Sequence, residues 1–278
     1  MDDDTIDALN RSINTQISIS YIEIDELTGK TKELSADEID EEIQDQIDSN
    51  KIEYEDESII ETLGEKIGLL PVTVKASEPV YEKWDYPTTK NKVKQTVYAC
   101  QFKKKGTIYV TAKAYWLKEA YYRNIDVFGV TVGRGDIVPH SWSCKHTATY
   151  RYTATSPFYS TGTQKMETHP SAVTIGDSGS GLAYKVNLFG DRSKMKACEY
   201  AGTIEHYDDE KIEVKFQCKY ESKKSVKFVT SYHHSETNKT ITPSIGVDSG
   251  GISVSVSSSS TQYYSKLSYN AYLLYDHI

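Results

Sequence analysis

No run in the 278 residues approaches the roughly eighteen consecutive apolar side chains that a membrane-crossing helix needs, which excludes a helical membrane protein. The opening Met1-Asp2-Asp3-Asp4 has neither the basic start nor the apolar stretch of a signal peptide. Leucine is scarce, with 12 residues, and Phe scarcer, with 6, too little for the apolar stripes of a helix bundle. The 4 cysteines never stand at the two-residue spacing of a zinc knuckle or a redox motif. No catalytic constellation stands out, and the expectation is a non-enzymatic protein with no cofactor and no metal.

What is abundant is 22 Tyr, 26 Thr and 29 Ser, amphipathic rings and hydroxyls that suit pleated surfaces with one dry and one wet face. Charge is divided unevenly along the chain. Residues 1–62 carry 20 acidic and 4 basic side chains, net -16, so the other 216 residues must carry net +8 to give the total of -8. An acidic leader on a basic body suggests a mask, a pro-region or a solubilising segment.

The leader reads as a strand over Thr15 to Ile24, a turn at Leu27-Thr28-Gly29-Lys30, and a helix from Ser35 to Asn50 opened by the Ser35/Glu38 capping box. Ile39, Ile43 and Ile47 form one stripe of that helix, and a second short helix spans Ile59 to Ile67. Segment 1–76 is therefore a small α+β acidic unit, 77–92 a linker, and 93–278 a body of period-two alternation. Strands are expected at Val97–Phe102, Thr107–Leu117, Ile125–Val132, Ser143–Thr155, Gly181–Phe189, Lys196–His206, Lys211–Tyr220, Val226–His233, Gly251–Ser257 and Gln262–Leu274. So many strands without intervening helices predict a mainly β fold whose body is an antiparallel β-sandwich.

All four cysteines fall in predicted strands. A hairpin turning at Tyr207-Asp208-Asp209 would set Cys198 opposite Cys218, which predicts that disulfide, a second between Cys100 and Cys144, and hence an oxidising, extracellular compartment. Met1 is then read as preceding a mature secreted chain whose signal peptide is gone. The strand-and-turn Tyr21-Ile22-Glu23-Ile24-Asp25-Glu26-Leu27-Thr28-Gly29-Lys30, the acidic helix, and the segment Tyr115 to Val127 (YWLKEAYYRNIDV) together resemble uncharacterised secreted all-β proteins of Gram-positive bacteria. That resemblance implies export and an all-β body, and brings no activity or site residues with it.

Several motifs carry less than their spelling suggests. Gly176-Asp177-Ser178-Gly179-Ser180-Gly181 looks like a serine-protease nucleophile loop, but no separate Asp lies between His146 and Asp177, and His140 and His146 stand too close for an intervening barrel. His233-His234 are adjacent, so in a strand they point to opposite faces and cannot chelate together. Gly129, Gly133 and Gly135 read as a bulge and turn, because no helix follows to bind phosphate.

Lysines and tyrosines give the candidate binding surface: Lys103, Lys104 and Lys105 at a hairpin tip, with Tyr121, Tyr122 and Arg123. The expected function is a secreted cell-surface binding protein for an anionic polymer, glycan or protein partner, with no nucleic acid involved. The alternative is a β-pore-forming toxin, because the Ser/Thr-rich amphipathic stretch from Gly251 to Leu274 is of the kind a soluble protein could insert into a membrane as a barrel hairpin.

Overall fold

Alternation of Ile17, Ile19 and Tyr21 with Ser18 and Ser20 marks the first strand. The computed structural model describes residues 12–35, 38, 52–54, 79–81, 90–102, 107–155, 160–175, 180–190, 192–199, 202–220, 225–236, 244–248, 251–255, 264–267 and 272–275. In chain order the strands are β1 (Ser12–Asp25), β2 (Lys30–Leu34), β3 (Ile52–Tyr54), β4 (Pro79–Tyr81), β5 (Lys90–Phe102), β6 (Thr107–Trp116), β7 (Ile125–Gly133), β8 (Gly135–Ile137) and β9 (Ser143–Ala154). They continue as β10 (Ser160–Thr168), β11 (Ala172–Ile175), β12 (Gly181–Asn187), β13 (Thr203–Tyr220), β14 (Val226–Ser235), β15 (Ser244–Asp248), β16 (Gly251–Ser255), β17 (Tyr264–Leu267) and β18 (Tyr272–Tyr275). A four-residue helix, α1 (Lys196–Glu199), precedes β13.

The fold is mainly antiparallel β. An eight-stranded sheet runs β10-β9-β13-β6-β5-β1-β2 with β8 alongside β13, and a six-stranded sheet runs β11-β12-β7-β14-β17 with β18 also on β14. Their inner faces share one core. Ile22, Val93, Val97, Ala112, Val214 and Phe216 of the larger sheet meet Phe128, Val130, Leu182, Phe228 and Tyr232 of the smaller. Segment 1–76 supplies β1 and β2 to the larger sheet, and the register sets Glu23 opposite Lys92 and Asp25 opposite Lys90, so acidic leader and basic body meet as cross-strand neighbours.

The expected capping box forms: Glu38 N donates to Ser35 Oγ at 3.3 Å and Ser35 N to Glu38 Oε2 at 2.9 Å. The rest of the predicted helix to Asn50, the second helix and the Ser178 loop lie outside the described residues, as does the 77–92 linker except β4 and the start of β5.

The two predicted disulfides are not formed; Cys100, Cys144 and Cys218 are buried thiols outside any disulfide. The reason is a misread turn. Tyr207-Asp208-Asp209 does not close a hairpin. β13 runs through it by a bulge between Asp208 and Lys211, with Asp209 at φ 51°, and Cys198 falls in α1, not in a facing strand. Cys100 on β5 and Cys144 on β9 are three strand spacings apart, roughly 14 Å, against the 4.4–6.8 Å that a disulfide spans.

Burial pushes the Cys144 and Cys218 thiols up to about 12, with Glu213 and Asp136 adding to it. The native protein at pH 8 is therefore expected to show at most one thiol reactive to Ellman's reagent, with three more released only in urea. Fast titration of several thiols in buffer, or a mapped disulfide at any of the three, would contradict this arrangement.

Candidate functional site

β7, Ile125-Asp126-Val127-Phe128-Gly129-Val130-Thr131-Val132-Gly133, is buried on both faces over its whole interior. A sandwich strand needs cover on one face only, so something else lies over the other. That cover is β15 and β16, which pair with each other, Ser244 opposite Ser255 and Val247 opposite Ile252, and form a two-stranded sheet of their own. They make a third layer. Ile245, Val247, Ile252 and Val254 pack with Val127 of β7 and Ala183 of β12, while Ser244, Gly246 and Ser253 are exposed.

Glycines shape the seat. A Cβ on Gly181 would stand 2.6 Å from Val247 Cγ1, and one on Gly129 would stand 2.2 Å from Ile252 Cδ1, so the hairpin's apolar side chains fill the spaces where these two residues lack side chains. His233 Nε2 donates to the carbonyl oxygen of Ile252 at 3.1 Å. The partner strand differs from the expected one. β16 pairs with β15, and β17 and β18 pair with β14, so the amphipathic hairpin is 244–255 and does not extend to Leu274.

On its other face β14 presents His234 to a buried polar node. His234 Nδ1 lies 2.9 Å from Asp126 Oδ2 and its Nε2 lies 2.8 Å from Glu26 Oε2, with all three side chains fully buried. Glu26 also accepts from Tyr121 N and Tyr122 N, both at 3.0 Å, and Asp126 accepts from Ser235 N at 3.0 Å and from the Tyr232 hydroxyl. Trp116 Nε1 donates to Tyr232 Oη at 2.7 Å, and its ring meets the His234 ring edge-on at 4.7 Å between centroids. Burial alone would lower the His234 pKa. Asp126 and Glu26 outweigh it and carry the value up to about 10, so an imidazolium bridges the β1–β2 turn of the larger sheet to β7 of the smaller.

A second node lies beside it. Arg123 makes a two-pronged pair with Glu210, 2.7 Å at each nitrogen, donates to the Leu188 carbonyl, and stacks its guanidinium 3.6 Å from the centre of the Tyr207 ring. His146 Nε2 lies 2.9 Å from Glu210 Oε1, the oxygen that also accepts from Arg123 Nη2.

Of the sequence-derived binding residues, Arg123 is thus an inward-facing ion-pair member, only 6% exposed, and is not available to a ligand. Tyr121 and Tyr122 stay at the surface, stacked edge to face at 5.0 Å. Lys103, Lys104 and Lys105 lie outside the described residues. The expectation for His233 and His234 holds in that each serves a different face of β14. Sequence reasoning missed β15 and the seating role of Gly129 and Gly181, although Ile245 and Val247 alternating with Ser244 and Gly246 carried a signal for the strand.

No family model matches this chain, and no curated protein matches it. Among solved structures, Clostridium perfringens delta-toxin aligns with 56% of this chain and 79% of its own at 9% identity and a TM-score of 0.25, a likeness too low to carry fold or function.

Proposed function

We propose that this protein is a β-pore former whose β15–β16 hairpin leaves the smaller sheet and inserts into a bilayer, acting without a catalytic step. The observation that carries this is the third-layer hairpin itself. It is amphipathic at period two, belongs to neither large sheet, and rests on its neighbours through a few apolar side chains and glycine-floored contacts. An isolated two-stranded hairpin is marginal in water, so its hold depends on that seat.

In a transmembrane barrel the same alternation is needed, with apolar residues toward lipid and small polar ones toward the lumen, over about 9–11 residues per strand. The sequence alternation extends past the hairpin's observed C-terminal end, with Ile252, Val254 and Val256 against Ser253, Ser255 and Ser257, whereas on the N-terminal side Thr240-Ile241-Thr242 is separated from Ser244 by Pro243. One hairpin supplies two strands, so a barrel of about eight or more strands requires about four or more copies. The earlier expectation of a surface-binding protein enters this reading as the docking step before insertion.

A locked hairpin is the test. The Gly181→Cys/Val247→Cys protein should crosslink the hairpin to β12, because a side chain on Gly181 falls against Val247. Dye release from phosphatidylcholine–phosphatidylglycerol vesicles should be lost on oxidation and return with dithiothreitol. Equal release by oxidised and reduced forms, or no release by the parent protein, would refute the proposal.

A further inference from the structure

The β1–β2 turn holds an apolar side chain out in water. Leu27 is 60% exposed and Tyr121 42%, the most exposed large apolar side chains among the described residues. The two belong to one tip. Glu26, the neighbour of Leu27, accepts from the backbone N–H groups of Tyr121 and Tyr122, which brings these residues within about 10 Å of Leu27.

The tip is rigid by construction. Asp25 Oδ1 accepts from Leu27 N at 3.1 Å and Thr28 N at 3.3 Å, Gly29 N closes the turn on Asp25 O at 2.8 Å, and Gly29 adopts φ 65°, which a glycine takes without strain. Beneath it Glu26 is anchored on His234. The Glu26–His234 contact is an inter-sheet tie and needs no Leu or Tyr above it.

We infer that the Leu27–Tyr121–Tyr122 tip docks the protein on the headgroup interface of a lipid bilayer. Tyrosine suits that zone, with its ring among the upper acyl chains and its hydroxyl among headgroups, and leucine supplies the apolar anchor. Leu27 stands exposed on a tight turn, and a soft lipid surface takes such a side chain without a complementary pocket. The tip also connects to the hairpin: Glu26 holds His234, and the next residue, His233, holds Ile252. The partner class rests on the pore-forming reading, which requires a bilayer, whereas the tip's geometry does not.

Docking and leakage are therefore measured separately. Tyr121→Trp, fluorescing at the tip, should shift to the blue on titration with phosphatidylcholine vesicles, and the shift should survive 0.5 M salt because the contact is apolar. Leu27→Asp/Tyr121→Ser should lower vesicle partitioning by about tenfold or more, the amount expected for withdrawing one leucine from an apolar environment, with an unchanged unfolding midpoint. The oxidised Gly181→Cys/Val247→Cys protein should still co-sediment with vesicles while releasing no dye. Unchanged partitioning of Leu27→Asp/Tyr121→Ser would overturn the docking role even if the parent leaks dye. So would binding that needs a membrane protein or glycan and is absent on pure lipid. Tip-dependent binding by a parent that never leaks would support docking and refute the pore.

Discussion

Asp126→Ala is expected to cost about 3–5 kcal/mol of unfolding stability, a fall in melting temperature on the order of 10 °C for a chain this size. The side chain has no solvent contact, and three donors depend on it: His234 Nδ1, the Tyr232 hydroxyl and Ser235 N. Removing it leaves a buried imidazolium with Glu26 alone and strands Tyr232 between Trp116 and a void. Asp126→Asn is expected to cost less, because an amide oxygen still accepts. Urea unfolding of the three proteins at pH 7 measures both; a shift below about 1 kcal/mol for the alanine variant would mean the node contributes little.

The same node gives a pH signature. The His234 pKa in the folded protein, about 10, stands above its ordinary 6.5, so its stabilisation is fully present below pH 6.5 and is lost as pH rises through about 10. Glu210 is shifted the opposite way: burial would raise it, but Arg123 and His146 prevail and hold it below the usual carboxylate range. Its contribution is present above pH 4.5 and is lost as pH falls through its folded value. The urea midpoint of the parent should therefore fall between pH 7 and 10, and Asp126→Ala should fall less steeply, having lost a group that favours the imidazolium. Parallel slopes would remove His234 as the titrating group.

Glu210→Ala should be comparably severe, about 3–5 kcal/mol, because it leaves the Arg123 guanidinium buried without its carboxylate and deprives His146 of its partner. A control lies on the surface. Lys145 and Glu167 meet at 2.7 Å with both side chains about two-fifths exposed, and Glu167→Ala should cost less than about 1 kcal/mol. Similar distances with very different costs would attribute the difference to burial. If both variants lose the same stability, that attribution fails.

Sheet content was legible because side-chain alternation is local: Thr107–Trp116 and Val226–Ser235 announce themselves within a few residues. The turn at Tyr207 was not, since Tyr-Asp-Asp has turn chemistry and only the bulge against β9 shows that the strand continues. Arg123 was read as a surface cation because its partner lies 87 residues downstream, and Glu26 meets His234 across 208 residues. Ion pairs over such separations follow no period and leave no mark in a window of ten residues. The hairpin was half visible: Ile252 to Ser257 stood out, but the seat that gives it meaning is made of side chains that glycines lack.

The His233–His234 pair also bears on how the chain avoids misassembly. Successive residues of a strand face opposite ways, so sliding β14 by one position against β7 would send His234 to the outer layer and place His233's neighbour Tyr232 out of the core. A slide in one direction would put Ser235 in its place and leave the carboxylates of Glu26 and Asp126 in the interior with no cation between them; a slide in the other would put His233 there and take its hydrogen bond from the Ile252 carbonyl. Either slip would cost a buried polar partner as well as the apolar fit, so the alignment of β14 on β7 is specified by charge and hydrogen bonding in addition to packing.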